Sequence, residues 1–127
     1  MKMPQSNPAL RTVAMPSDTN ANGDIFGGWV MSQMDIAGAI PAIRRANGRV
    51  ATVAVDSMRF HRPVQVGDLV SCFAELVKTG NTSVTVHVDT WAERRTNGEP
   101  VKVTEGTFVY VAINDKGEPR PVDEPVD

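Results

Sequence analysis

The stretch from about Ile25 to Arg45 constrains the fold of this chain more than any other part of it. Ala, Met, Ile and Val recur there at mixed spacing around much of the helical circumference, so a helix in this segment should be largely enclosed. After Gly48 the apolar period drops to two. Val50 to Phe60, Leu69 to Lys78, Ser83 to Arg95 and Val101 to Ile113 read as strands rich in Val, Thr and Phe. In the third, Val84, Val86 and Val88 face one way, and Thr85, His87, Asp89 and Trp91 the other. Gly80-Asn81 and Asn97-Gly98 supply hairpin turns. The longer, proline-bearing linker His61 to Asp68 is expected to cross between non-adjacent strands, and Ala9 to Met15 adds a short strand before the helix. Strands can enclose a single helix only if their sheet curls around it. The expected class is therefore α+β: one long central helix wrapped by a curved antiparallel sheet of about five strands. Strands this long leave exposed edges, which a partner chain can cover by continuing the sheet.

At 127 residues the chain makes one domain with a sizeable core. Residues 1–8 read as a flexible leader, 9–114 as the folded domain and 115–127 as a Pro- and acid-rich tail. Asn47-Gly48 supplies a helix stop, whereas Pro41 predicts a kink or an early end, because a proline there cannot donate to the Ala37 carbonyl. A net charge of −2 offers no basic field for nucleic acid, and the pairs Arg44-Arg45 and Arg94-Arg95 read as solvated surface. No signal peptide or membrane-length apolar run is evident, so the expected location is the cytoplasm. Cys72, the only cysteine, excludes an intramolecular disulfide and reads as a small core hydrophobe. His61 and His87 show no metal-ligand spacing, and no metal is expected.

The chemistry concentrates where loop meets helix, in Asn20-Ala-Asn22-Gly-Asp24-Ile-Phe-Gly27-Gly28-Trp, running on to Asp35. Gly27 and Gly28 lack a Cβ, so a ligand can approach their backbone. Free N–H groups at a helix start, backed by the positive end of the helix dipole, can polarise a carbonyl or hold an oxyanion. Asp24 can cap a helix that begins at Ile25. Asp35, among Met31, Met34, Ile36 and Ala39, is a carboxylate on an otherwise apolar stretch of helix.

The run from Arg11 through Thr-Val-Ala-Met-Pro-Ser-Asp-Thr-Asn-Ala-Asn-Gly-Asp-Ile-Phe-Gly-Gly-Trp to Asp35 closely resembles the start of hotdog-fold acyl-CoA thioesterases of the YciA-like type. Arg49-Val-Ala-Thr-Val-Ala-Val-Asp-Ser-Met-Arg-Phe60, then Pro63, Val66-Gly-Asp68 and Lys78-Thr-Gly-Asn-Thr-Ser83, match later motifs of the same family in order. The resemblance spans roughly residues 10–114. It implies a hotdog domain, dimers with a continuous sheet, hexamers built as trimers of dimers, and hydrolysis of acyl-CoA thioesters, with coenzyme A as part of the substrate and no separate cofactor. Carried over, Asp35 matches the catalytic carboxylate, Asp24 a loop position that varies between Asn and Asp, and Gly27 and Gly28 the glycines whose amides meet the thioester carbonyl. Asn22, Arg62 and the turn Lys78, Thr79, Gly80, Asn81, Thr82 and Ser83 are the candidates for contact with coenzyme A, with Arg59, Arg94 and Arg95 as runners-up. Pro41, and Ala37 beside Gly38, depart from the family pattern and bear on helix shape.

Thioester hydrolysis needs a polarised carbonyl and an activated water or nucleophile. The Gly27 or Gly28 amides can supply the first, worth roughly 3–4 kcal/mol per well-placed donor. Asp35 can supply the second, as general base or by direct attack to give an anhydride. Yet Gly27 and Asp35 are eight residues apart, about 12 Å along a helix, whereas reacting atoms must come within about 3.5 Å. Two antiparallel helices across a dimer repair this mismatch, so the site is expected to be composite, with Asp35 from one subunit and Asp24, Gly27 and Gly28 from its neighbour. Carboxylates meeting at such a seam would repel, and activity should fall on the acid side. The alternatives are a hydratase or dehydratase of acyl thioesters, which normally wants a His on this helix, and a non-catalytic acyl-CoA binder.

Overall fold

The computed structural model describes residues 2–124. A four-residue strand, β1 (Leu10–Val13), leads through a short 3-10 turn (Pro16–Asp18) to the single long helix α1 (Gly27–Ala46). Four long strands follow: β2 (Val50–Phe60), β3 (Leu69–Thr79), β4 (Ser83–Glu93) and β5 (Pro100–Ala112). They form one antiparallel sheet in the order β1-β3-β4-β5-β2. The two hairpins join neighbours, and the 61–68 linker carries the chain from the β2 edge across to β3, as its length and proline predict. Irregularities in β2 between Thr52 and Ala54 and between Asp56 and Arg59, and in the β3–β4 and β4–β5 ladders, bend the sheet.

Alternation in the strands sets the core. Val84, Val86 and Val88 are fully buried and join Val70, Cys72, Phe108 and Tyr110 against Val30, Met34, Ala37 and Ala42 of α1. Gly38 is required at this contact, since a Cβ there would collide with the Tyr110 hydroxyl. The crossover is pinned by buried Asp68, which accepts from the Gln65 N–H at 2.8 Å and from Arg94, whose guanidinium also reaches the Pro63 carbonyl. Arg94 is thus an internal staple, a correction to its reading as solvated surface.

Four other expectations are corrected. The helix begins at Gly27 rather than Ile25. It continues through Pro41 to Ala46 and closes on Asn47 in the left-handed conformation (φ 51°), so Pro41 does not end it. The helix is not enclosed on all sides within one chain: Ile36 and Ile43 stay 52% and 45% exposed. The segment read as a tail is packed as far as Val122, which is buried. Arg120 there donates at 2.7 Å to the Ala46 carbonyl at the helix C-terminus, and the missing Cβ of Gly48 leaves room for its guanidinium. Residues 125–127 of that segment, and residue 1 of the leader, lie outside the described residues. No helix among the described residues is long and apolar enough to cross a membrane.

Candidate active site

The loop before α1 is organised by Asn20. Its Oδ1 accepts the backbone N–H groups of Asn22 at 2.9 Å and Asp24 at 3.1 Å, while its own N–H donates to the Asp24 carbonyl at 2.7 Å. Gly23 turns the chain at φ +83°, where a side chain would strain the backbone. The N–H groups of Ile25 and Phe26 then donate to the Val64 and Asp18 carbonyls. Phe26 occupies the cap position and supplies no side-chain acceptor, and Asp24 does not cap the helix. The capping role expected for Asp24 is therefore corrected: its side chain is exposed two residues ahead of the cap. Consequently the first N–H groups of the helix, those of Gly27 and Gly28, have no recorded acceptor among the described residues. Nothing lies within 4 Å of where a Gly28 Cβ would stand, and the Phe60 ring lies 3.5 Å from the corresponding point at Gly27. The result is a pair of aligned donors at the positive end of a helix, open on the Gly28 side and flanked by an aromatic ring on the Gly27 side.

Asp35 is half-buried on the flank of α1 that faces the edge strand β2. Its Oδ1 accepts the Thr52 hydroxyl at 2.6 Å, and its main-chain carbonyl accepts the Tyr110 hydroxyl at 2.7 Å. Burial, then the Asp35 charge, push the Tyr110 hydroxyl well above the usual phenol range. One carboxylate oxygen is thus oriented by Thr52, which leaves the other for a ligand or water. Neither Thr52, Tyr110 nor Asn20 was singled out from sequence as a site residue. For Thr52 and Tyr110 the missing information is register: β2 pairs with β5 so that Thr52 stands opposite Tyr110, directly beneath the helix.

The remaining candidates divide by position. Asn22, Asp24, Gly27 and Gly28 share the helix-start junction. Arg62 follows Phe60, at the end of the sheet where β2 meets Thr104, whereas the turn Lys78–Ser83 sits at the other end, where Ser83 pairs with Val111. In one protomer these two groups are therefore separated by the length of the strands and form no common cradle. Cys72 is buried beside the Thr90 hydroxyl, and burial pushes its thiol up to about 11, as befits a core residue rather than a nucleophile.

On the sheet face away from the helix, strand register assembles a charged cluster that sequence spacing did not reveal. His87 Nε2 lies 3.1 Å from Asp89, His61 Nε2 lies 2.8 Å from Glu105, and ligand atoms of His87, Asp89 and Glu105 all fall within 4.8 Å of one another. Lys102 Nζ stands 3.1 Å from both carboxylates and supplies the cation internally. His61 and then Lys102 hold the Glu105 carboxyl below its ordinary range.

Comparison with known proteins gives a consistent result. The profile of the Thioesterase superfamily matches residues 22–99. The acyl-CoA thioester hydrolase YciA of Salmonella typhimurium is 54% identical over 122 residues, covering 94% of this chain and 92% of the relative. Among solved structures, a hexameric thioesterase from Yersinia pestis superposes with a TM-score of 0.89 at 51% identity, covering 97% of this chain and all of that one. A hexameric hotdog-fold thioesterase of Campylobacter jejuni gives 0.86 at 42% identity, covering 91% and 90%.

Proposed function

From the premise that this chain belongs to the Thioesterase superfamily, as a hotdog-fold acyl-CoA thioesterase, we propose that it hydrolyses acyl-CoA thioesters at a site shared by two protomers. One observation carries this reading. Gly27 and Gly28 amides with no acceptor among the described residues and the Thr52-held Asp35 carboxylate lie on one helix, too far apart to act on the same carbonyl. A second helix running antiparallel brings the start of one against the middle of the other. The β2 edge favours such pairing: it is the long one of the two outer strands of the sheet, Asp35 faces it, and Val53 is 58% exposed and Phe60 50% exposed along it. Dimers formed there assemble further into hexamers, in keeping with the relatives of known structure.

In the proposed reaction the thioester carbonyl oxygen receives hydrogen bonds from the Gly27 and Gly28 N–H groups of one protomer. Water held by the second oxygen of the partner protomer's Asp35 attacks the carbonyl carbon as that carboxylate takes its proton. The oxyanion then collapses, the carbon–sulfur bond breaks, and coenzyme A leaves as a thiolate that recovers the proton from the carboxyl group. Asp24 and Asn22 lie on the loop beside the donors and contact the reacting end of the substrate. Arg62 from one end of the sheet and Lys78–Ser83 from the other come together only across subunits, where they bind the anionic coenzyme A moiety.

The test is thiol release from acyl-CoA by the wild-type protein, Asp35→Ala and Asp35→Asn. Release by the wild type and its loss by at least a hundredfold in both variants is the expected result. Binding without release would favour a non-catalytic binder, and hydration of an enoyl-CoA a hydratase. Single turnover in heavy-oxygen water should place label in the acid product at once; label retained in Asp35 would instead indicate an anhydride.

A further inference from the structure

The sheet face turned away from α1 carries a group of side chains that the proposed hydrolysis does not use. His87 and Asp89 are two residues apart on β4 and so point the same way, and Glu105 on β5 stands directly opposite Asp89. His87 Nε2 lies 3.1 Å from Asp89 Oδ1 and 4.0 Å from Glu105 Oε1. Lys102 is three residues from Glu105, and in a regular strand it would point to the opposite face. The bulge opposite Thr90 and Trp91 turns it back, so that its ammonium stands 3.1 Å from an oxygen of each carboxylate. Like charges directly across a ladder repel. One ammonium offsets only one of the two, and with neutral imidazoles the group keeps a net negative charge.

We propose that His87, Asp89 and Glu105 bind a divalent transition-metal ion of the Zn²⁺ class, in the place where the two carboxylates share the Lys102 ammonium. Donor atoms around a four-coordinate Zn²⁺ stand about 3.3 Å from one another. The three donors here all fall within 4.8 Å of one another, so small side-chain rotations on fixed strands close the set. Neighbouring groups orient them. In the tautomer whose Nδ1–H donates to the Thr107 hydroxyl at 3.4 Å, His87 presents its Nε2 lone pair to the carboxylates, a contact that only a cation satisfies. His61 Nε2, 2.8 Å from Glu105 Oε2, holds that carboxylate with Oε1 towards His87. One imidazole with two carboxylates suits Zn²⁺ better than Mg²⁺ or Ca²⁺, which prefer oxygen alone. The His87, Asp89 and Glu105 side chains are 31%, 29% and 29% exposed, so an ion enters from solution and keeps water in its fourth position. Lys102 swings away on its flexible stem as the ion arrives, and two positive charges replace one. The bound ion ties β4 to β5 and, through His61, to the chain leaving β2.

His61 and His87 are the only histidines in the chain and its one cysteine is buried, so few other groups compete for such an ion. Calorimetric titration of Zn²⁺ into chelator-treated wild-type protein, His87→Gln, Asp89→Asn and Lys102→Met decides the matter. The wild type should take up one Zn²⁺ per chain. Affinity should fall by about tenfold or more in His87→Gln and Asp89→Asn, and hold or tighten in Lys102→Met, which lacks the competing ammonium. Zn²⁺ should raise the Tm of the wild type and leave that of His87→Gln in place, while Mg²⁺ raises neither. Far-UV circular dichroism reports that each variant is folded; if His87→Gln is not, Asp89→Asn decides. A wild type that takes up no Zn²⁺, equal binding by the wild type and both ligand variants, or weaker binding by folded Lys102→Met overturns the proposal. None of these readouts depends on turnover, so the outcome is separate from that of the thiol-release test.

Discussion

Tyr110 reaches from the sheet to the backbone of the helix at the residue that carries the candidate carboxylate, and it can do so because Gly38 leaves space for its hydroxyl. It is the only tyrosine in the chain, which makes its ionisation visible. In the unfolded chain the phenol should titrate near its ordinary value of 10.0, while in the native state burial and the Asp35 charge hold the proton. A group bound more tightly when folded contributes stability that is complete below the unfolded value and declines as pH rises above it. The phenolate ultraviolet band should therefore appear only together with alkaline unfolding, not before it; a separate native-state titration near pH 10 would show that the hydroxyl is not held. Thr52 acts on the carboxylate itself. Thr52→Val keeps the shape and removes a hydrogen bond to a charged oxygen, a contact worth about 1.5–3 kcal/mol. Steady-state kinetics should show kcat lower by about ten- to a hundredfold with a smaller change in KM.

At the scale of elements, the helix start is built without a side-chain cap, and the orphan donors there are the proposed functional groups. Gly28→Ala separates the two roles. A Cβ at this position meets nothing in the folded chain, and alanine is the better helix former, so thermal unfolding should show unchanged or improved stability, by up to about 1 kcal/mol. Turnover should fall, because the methyl group occupies the side from which a carbonyl approaches; a variant that is both more stable and fully active would contradict the assignment. How much of this was legible beforehand follows from the range of each signal. Period-two alternation marked β2 at its observed limits and the other strands to within one or two residues, since it is a local property of the chain. The glycine pair and Asp35 stood out for the same reason. By contrast, the Thr52–Asp35 bond, the Arg120 bond to the helix end and the His87–Asp89–Glu105 cluster depend on register between strands or on how a terminal segment folds back, and no short-range pattern encodes either. Pro41 misled for a further reason: tertiary packing keeps the helix continuous despite the lost bond.

For the whole molecule, a site divided between chains predicts complementation. Asp35→Ala retains its glycine donors, and a protein with Gly28→Val retains its Asp35. Each alone should be nearly inactive. Refolded together in equal amounts, half of the dimers should be mixed, and each mixed dimer restores one of its two sites, so activity should recover to about a quarter of wild type. A mixture as inactive as its parents would place both groups in one chain or neither in the site.

The proposed sharing of the site, which the eight-residue separation of Gly27 and Asp35 calls for, also sets a concentration scale on the enzyme. A catalyst whose halves reside on different molecules switches off on dilution, as solitary chains outnumber pairs. Specific activity should decline below the dissociation constant of the pair and return on reconcentration. In a cell, the amount of this protein would then govern not only how many catalysts exist but what fraction of them work.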